Sequence, residues 1–462
     1  MTTNNSTTDG LQPIAPVHTM AEATDVLFNQ LPTSKKVLFD AARGLDRASR
    51  FMHDIRDPQE QFKSIHIAGT SGKGSVALYL TSLLVAHGKK IGTHVSPHVD
   101  DMRERAMLNG KIPSEKQWLA ALNKIIPIIN RQKTLDERPT YFVAANAIAN
   151  TLFEQQNVDY AVIETGIGGI YDSSNVMRRS DKLAVITKLG LDHTELLGST
   201  LPEIAYQKSG IFPFDGEALY LKPDRAEVES VLIETARVRT TKLVAIEGRV
   251  KNVVVTGVKL FFDYVGTQLV IDKIELPTAA RYQAENAGIA LASFERLAER
   301  DGWKIDESLV RNCLANTVAP GRMEILTSAS GIKVVFDGAH NPQKIAGLLE
   351  SLSTLPSRQK PVWVVATKKG KDITAMLRLL VGHVDAIVAT QYSGSGSEHF
   401  AQTALPADEL AAAAKDVGLS VLATEVDAAK ALKIALDKAK LLQLVVVSGS
   451  MYVLTEAKRQ LA

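Results

Sequence analysis

Residues 63–88 read KSIHIAGTSGKGSVALYLTSLLVAHG: an apolar run, three glycines within six residues, then a helical period closed by Gly88. No other stretch narrows the fold as much. A buried strand that stops at glycines and restarts as a helix aims backbone N–H groups and the positive helix end at one point. The loop also departs from the G-x-x-x-x-G-K-[ST] phosphate template. Two residues separate Gly69 from Gly72, and Gly74 separates Lys73 from Ser75.

The alternation continues. KIGTHVS is a short strand, and SEKQWLAALNKIIPIINRQ is a helix expected to bend or break near Pro127. TYFVAANAIANTLFEQQ is helical, and DYAVIETG and LAVITKLG are buried strands. This order predicts a mostly parallel sheet covered by helices on both faces. Between 216 and 275, KLVAIEG, VKNVVVTGVKLFFDYV and TQLVIDKIEL predict antiparallel strands that close the first domain. A helix in RYQAENAGIALASFERLAER follows. IKVVFDG, PVWVVAT, DAIVATQ, SVLAT and LLQLVVVSG then form a second, smaller α/β domain. The division is a tail over 1–20, one domain over 21–320 and another over 321–462.

Bulk properties agree with this division. A chain of 462 residues exceeds one ordinary core, and 45% hydrophobic with 23% charged residues suits a soluble protein. A net charge of +2 argues against nucleic acid or an acidic membrane surface as partner. The single cysteine, Cys313, excludes an internal disulfide and fits a reducing compartment; it reads as an ordinary helix residue. MTTNNSTTDG lacks the regions of a secretion signal, and no apolar run reaches the roughly 20 residues of a membrane helix. A cytoplasmic location is expected.

Four stretches carry chemistry. The glycine loop Gly69, Thr70, Ser71, Gly72, Lys73, Gly74, Ser75 is a phosphate cradle or a tight turn bearing a solvated lysine. In VIETGIGG, Glu164 ends a buried strand, where open sheets place ligands; it is a Mg²⁺ ligand or a hydrogen-bonded strand end. In LGLDHTELLGSTLPEIAYQKSGI, Asp192, His193 and Glu195 are a metal or acid–base group or a polar loop, and Lys208 lies on a helix starting near Thr200. In VVFDGAHNP, Asp337, His340 and Asn341 precede a helix that Pro342 initiates, and Arg322 of APGRME is a cation available to the same crevice.

In this order, the stretches resemble the folylpolyglutamate synthase and dihydrofolate synthase family of the Mur ligase superfamily. The carrying motifs are AGTSGKGS, VSPH, RERAMLNG, ETGIGGIYDSSNV, LGLDHTELLG, EIAYQKSGI, YQAENAG, PGRME, DGAHNP and SGSMY. They span about residues 30–455 and contain the short glycine spacing. The resemblance implies a P-loop-type N-terminal domain and a Rossmann-like C-terminal domain with ATP between them. It places Gly69–Ser75 and Lys73 on ATP phosphates, Ser96 and Glu164 on one Mg²⁺, and His193 and Lys208 on a second. Lys208 is implied to be carbamylated, because a carbamate ligates a cation that an ammonium repels. Asn286, Arg322 and Asp337 are implied to contact nucleotide, and Arg105, His340 and Ser450 to face the other substrates. Lys73, His193 and Lys208 would be catalytic.

The implied activity joins L-glutamate to the γ-carboxylate of a reduced folate through an acyl phosphate. Dihydropteroate is an alternative acceptor, and a monomer is expected. Ser71, Ile170, Val143 and Tyr282 depart from the family's Asn, Arg, Glu and His, and WVVATKKGKD is unusually basic. A ligase for another carboxylate, including a cell-wall precursor, is the nearest rival reading. A nucleotide-binding regulator without turnover is the reading from another class.

Overall fold

The computed structural model describes residues 11–32, 41–98, 101–132, 134, 137–355, 357, 359–392, 404–440 and 442–461. Its first sheet contains β1 (Lys63–Ala68), β2 (Ile91–His94), β3 (Met107–Leu108), β4 (Tyr160–Glu164), β5 (Leu183–Ile186), β6 (Glu217–Leu221) and β7 (Lys242–Ile246). They lie in the order β3-β2-β4-β1-β5-β6-β7. Every neighbouring pair is parallel except β2 with β3. The order decides where function sits. The four adjacent strands β2, β4, β1 and β5 end just before Ser96, at Glu164, before the glycine loop and before the 187–193 loop. Four motifs scattered over some hundred residues therefore emerge at one edge, the carboxyl end where open sheets bind ligands.

The helix Lys73–Ala86 buries Val76, Leu80, Leu83 and Leu84 completely, between β1 and the helix Tyr282–Asp301. Each such leucine contributes about 1.5–3 kcal/mol relative to exposure, which holds the glycine loop against a fixed wall. A small antiparallel sheet of β8 (Val250–Thr256), β9 (Lys259–Val265) and β10 (Val270–Leu276), in the order β10-β9-β8, packs on the same core.

The second large sheet contains β11 (Glu324–Thr327), β12 (Lys333–Phe336), β13 (Val362–Val365), β14 (Ala386–Ala389), β15 (Val421–Thr424) and β16 (Val445–Ser448). Their order is β11-β12-β16-β13-β14-β15, parallel apart from β11 with β12. Here again three adjacent strands, β12, β16 and β13, lead into the chemistry-bearing turns DGAHNP, SGS and ATKKGKD. Two lobes, each built on a largely parallel sheet, thus form the expected α/β architecture.

Three expectations need correction. KLVAIEG is no antiparallel closure: β7 pairs in parallel with β6. Pro127 does not break its helix, which runs Glu115–Ile129; the proline falls in the last turn, where few following N–H groups depend on the local register. The disordered tail does not extend to residue 20. Residues 1–10 lie outside the described residues, but Ile14 and Val17 are buried, and their N–H groups donate to Asn130 Oδ1 and Asn123 Oδ1, both at 2.8 Å. Among the described residues no helix is long and apolar enough to cross a membrane. Cys313 sits in the helix Glu307–Asn316, its thiol pushed up to about 12 by burial.

Candidate active site

The glycine loop is stitched to the strand beside it. Thr70 and Ser71 both donate their N–H groups to the Lys188 carbonyl, at 2.9 and 3.2 Å, and Thr187 Oγ1 donates to the Ser71 carbonyl at 2.7 Å. Those two N–H groups are therefore committed away from any ligand. The N–H groups at the start of the helix Lys73–Ala86 have no intrahelical acceptor, and Gly72, its N-cap, offers no capping side chain. They form the anion-seeking end of the loop. Gly72 is left-handed at φ 91°, and a Cβ there would stand 2.3 Å from Asn286 Oδ1, so glycine is required. A Cβ on Gly74 would lie 3.3 Å from Glu164 Oε2. The additional glycine lets a carboxylate approach the helix start.

Lys73 Nζ donates to the Gly69 carbonyl at 3.2 Å and stands 3.8 Å from Glu164 Oε1. Glu164 also accepts from the Ser96 N–H at 3.1 Å. Burial raises its pKa, and the Lys73 charge partly offsets that. Lys208, 4% exposed, donates to the Gly69 carbonyl at 2.9 Å; burial and the nearby Lys73 charge push it down to about 7. His193 follows in the left-handed region, φ 51°, and burial pushes it down to about 4, so its imidazole is neutral. Ser75 Oγ accepts from Gln283, which in turn accepts from Asn286 Nδ2 at 2.8 Å.

On the opposite lobe, Asp337 is already engaged. It accepts from the Tyr282 hydroxyl at 2.9 Å and from the N–H groups of Met323 and Ala339 at 2.8 and 2.9 Å. His340 Nδ1 donates to the Gly338 carbonyl at 2.8 Å, which leaves Nε2 to accept from Lys344 at 3.2 Å. Burial and Lys344 push this imidazole down to about 4. Ser450 caps the helix Met451–Lys458. Arg105 is 3% exposed and lies over the rings of Tyr141 and Phe142, and its Nε donates to His98 Nδ1 at 3.0 Å. Burial and Arg105 push His98 down to about 3, keeping it a neutral acceptor.

One cleft, enclosing about 360 Å³, gathers most of these groups. Its lining includes every residue of the glycine loop together with Ser96, Arg105, Glu164, His193, Lys208, Asn286, Arg322, Asp337, His340 and Ser450. Sequence reasoning passed over Lys344 and Lys371, which line it too. Lys344 follows His340 by one helical turn, and Lys371 belongs to the basic KKGK run, so both left a trace. Asp192, which the sequence groups with His193 and Glu195 as a metal or acid–base candidate, lies in the same lining. It accepts from Lys371 at 2.7 Å. Burial opposes its ionisation, but His340 and the charge of Lys344 hold the carboxyl well below the usual range.

Among the described residues, no three His, Cys, Asp or Glu side chains form a metal cluster. The donor chemistry still fits a cation shared with phosphates: the Glu164 carboxylate beside Ser96, and the neutral imidazole of His193. Lys208 fits only if its charge is removed, and burial together with the Lys73 charge favours its free amine.

Comparison with known proteins agrees with this architecture. The Mur ligase middle domain matches residues 67–294, and the Mur ligase glutamate ligase domain matches 321–451. The chain is 32% identical over 374 residues to the dihydrofolate synthase/folylpolyglutamate synthase of Mycobacterium tuberculosis, covering 76% of this chain and 74% of that one. With a probable bifunctional folylpolyglutamate synthase/dihydropteroate synthase of Halobacterium salinarum it shares 30% over 423 residues; that match takes in 90% of this chain and 49% of the relative, so the chain spans about half of its length. The M. tuberculosis folylpolyglutamate synthase complexed with ADP superposes with a TM-score of 0.81 at 28% identity, covering 96% and 98% of the two chains. Escherichia coli FolC in complex with DHPP and ADP gives 0.80 at 26%, over 97% and 98%. With both ligase domains matched in order and relatives above 30% identity aligned over most of their length, the chain belongs to the folylpolyglutamate and dihydrofolate synthase family of ATP-dependent Mur-type ligases.

Proposed function

We propose that the chain is a folylpolyglutamate synthase, which adds L-glutamate to the γ-carboxylate of a reduced folate at the expense of ATP. The observation that carries this reading is the facing of lysines from both lobes across one cleft. Lys73 stands at the glycine loop, and Lys344 and Lys371 come from the other lobe, with the neutral imidazole of His340 beside them. A triphosphate and two carboxylate-bearing substrates need that charge. A solved relative at 26% identity, with a TM-score of 0.78, carries AMPPCP and folate together.

In this reading the N–H groups of Gly72–Ser75 and the Lys73 ammonium hold the terminal phosphates. The folate γ-carboxylate oxygen attacks the γ-phosphorus, the bond to the β-phosphate oxygen breaks, and ADP forms beside an acyl phosphate. The glutamate amine then attacks the acyl carbon; collapse of the adduct expels inorganic phosphate and the nitrogen sheds a proton. Magnesium held by Glu164 with Ser96, and by His193 with a carbamylated Lys208, would supply charge neutralisation at the phosphates. Lys73 stabilises the charge that develops there, a contribution of about 10²–10³ in rate for one well-placed donor. His340 and Ser450 position the incoming amino acid, Arg105 faces the acyl donor, and Asn286 and Arg322 hold the nucleotide. Asp337 acts through Tyr282 and the Met323 N–H rather than as a vacant acceptor.

A second acceptor, dihydropteroate, is favoured by the double names of the M. tuberculosis and Bacillus subtilis relatives, the latter 27% identical over 92% of this chain. The test is a substrate panel. Purified protein with Mg-ATP, L-glutamate and tetrahydrofolate releases phosphate and yields a folate one glutamate longer. No lengthened product with tetrahydrofolate or dihydropteroate, while ATP binds, contradicts the proposal.

A further inference from the structure

Asp192 hangs from the loop after β5 in the N-terminal lobe, yet its side-chain partners come from the other lobe. Lys371 Nζ lies 2.7 Å from Oδ1; Asn341 Nδ2, His340 Nε2 and Lys344 Nζ lie 3.4, 3.8 and 3.9 Å from Oδ2. These groups come from two separate turns, the one after β12, continuing into the helix Pro342–Ser353, and the one after β13. Its own lobe supplies one donor, the His193 N–H at 3.1 Å, and the side chain is only 10% exposed.

The same loop grips the nucleotide cradle. Thr70 Oγ1 donates to the Gly190 carbonyl at 2.8 Å, and the Gly190 N–H approaches that hydroxyl at 3.0 Å. A Cβ on Gly190 would stand 2.4 Å from Gln343 Oε1 in the other lobe, so the backbone itself is pressed into the seam. A short, filled path therefore runs from Thr70 through Gly190 to Asp192 and into the cations of the C-terminal lobe.

We propose that Asp192 is a positioning residue that latches the two lobes together, setting the closed arrangement in which the cradle faces His340 and Ser450. It touches neither reacting group. A carboxylate shielded from water, bonded to Lys371 and Asn341 and facing the Lys344 charge of the same opposing body, resists separation more than the same contacts would at an open surface. Closure also excludes water from the acyl phosphate and brings the amine to it. The kinetic part of this inference rests on the ligase reading above, whereas the lobe arrangement is measurable without turnover.

The experiment uses the full chain with ADP. Small-angle scattering of the wild type, Asp192→Asn, Lys371→Met and the double variant reads lobe separation, and steady-state kinetics on the same samples reads turnover. Expected are an expanded profile for each single variant, kcat reduced about 30-fold in Asp192→Asn with its ATP KM within about threefold, and a double variant no worse than either single one. Lys371→Arg, which keeps the charge, retains the compact profile. If Asp192→Asn fails to fold, Lys371→Met and Lys344→Met carry the test from the other lobe. A compact profile for all variants overturns the latch even if no folate turnover is found. So do losses in the double variant that multiply, because the two side chains would then act independently.

Discussion

Lys208 and Gly69 lie 139 residues apart in the chain, yet the lysine ammonium donates to the glycine carbonyl at 2.9 Å. The contact fixes the helix Leu201–Ser209 against the first residue of the phosphate cradle, with Lys73 bonded to the same carbonyl. Two lysines sharing one acceptor in a buried place repel each other, which is part of why Lys208 is pushed down to about 7.

Removal of the Lys208 amine follows from that relationship. Lys208→Met is expected to lower kcat by about 10²–10³, the scale of losing one electrostatic contributor at a transferring phosphoryl group. ATP affinity changes far less, because the Gly72–Ser75 N–H groups remain. Added formate or acetate, supplying the missing anionic oxygens, restores part of the activity. Steady-state kinetics with and without the carboxylate checks this, and unchanged kcat contradicts the role.

Ser71, one of the departures from the motif that the glycine loop resembles, is poorly placed for direct catalysis. Its N–H is committed to Lys188, and its hydroxyl is buried with no hydrogen-bond partner among the described residues. Leaving a buried hydroxyl unpaired costs about 1–3 kcal/mol. Ser71→Ala is therefore expected to raise unfolding free energy by about 1 kcal/mol and to leave the ATP KM within about twofold. Denaturant unfolding and kinetics check both halves.

Lys182, 3% exposed at the start of β5, is pushed down to about 7, first by burial and then by the Arg239 charge, from 10.5. Unfolded, it holds its proton up to the higher value. Between about pH 7 and 10 the unfolded chain therefore binds more protons, and stability gains from this residue as pH rises. Below pH 7 the cost of burying the charge is fully present. Lys182→Met is expected to stabilise the fold at neutral pH by about 1–3 kcal/mol and to flatten that rise. Urea midpoints across the pH range read the effect directly.

The strand-end motifs were legible because each is local: an apolar run, a glycine or acidic turn, and a helix start. Their convergence needed only the parallel-sheet rule that function gathers at carboxyl ends. What escaped was decided by distant partners. Ile14 and Val17 looked like tail, but Asn130 and Asn123, more than a hundred residues away, accept their N–H groups. The β7 strand has the composition of the antiparallel strands that follow it; only pairing with β6 separates the two cases. Asp192 read as a metal or acid–base candidate with His193 and Glu195, or as polar loop, since nothing local announces that Lys371, 179 residues on, is its partner.

In the proposed reaction the folate carboxylate is activated by phosphorylation in this cleft. The most direct measurement follows oxygen-18 from a folate substrate labelled in its γ-carboxylate, with Mg-ATP and L-glutamate. One labelled oxygen is expected in the released inorganic phosphate for each amide formed. Amide formation with unlabelled phosphate would contradict it, because the carboxylate oxygen would then never have been bonded to phosphorus.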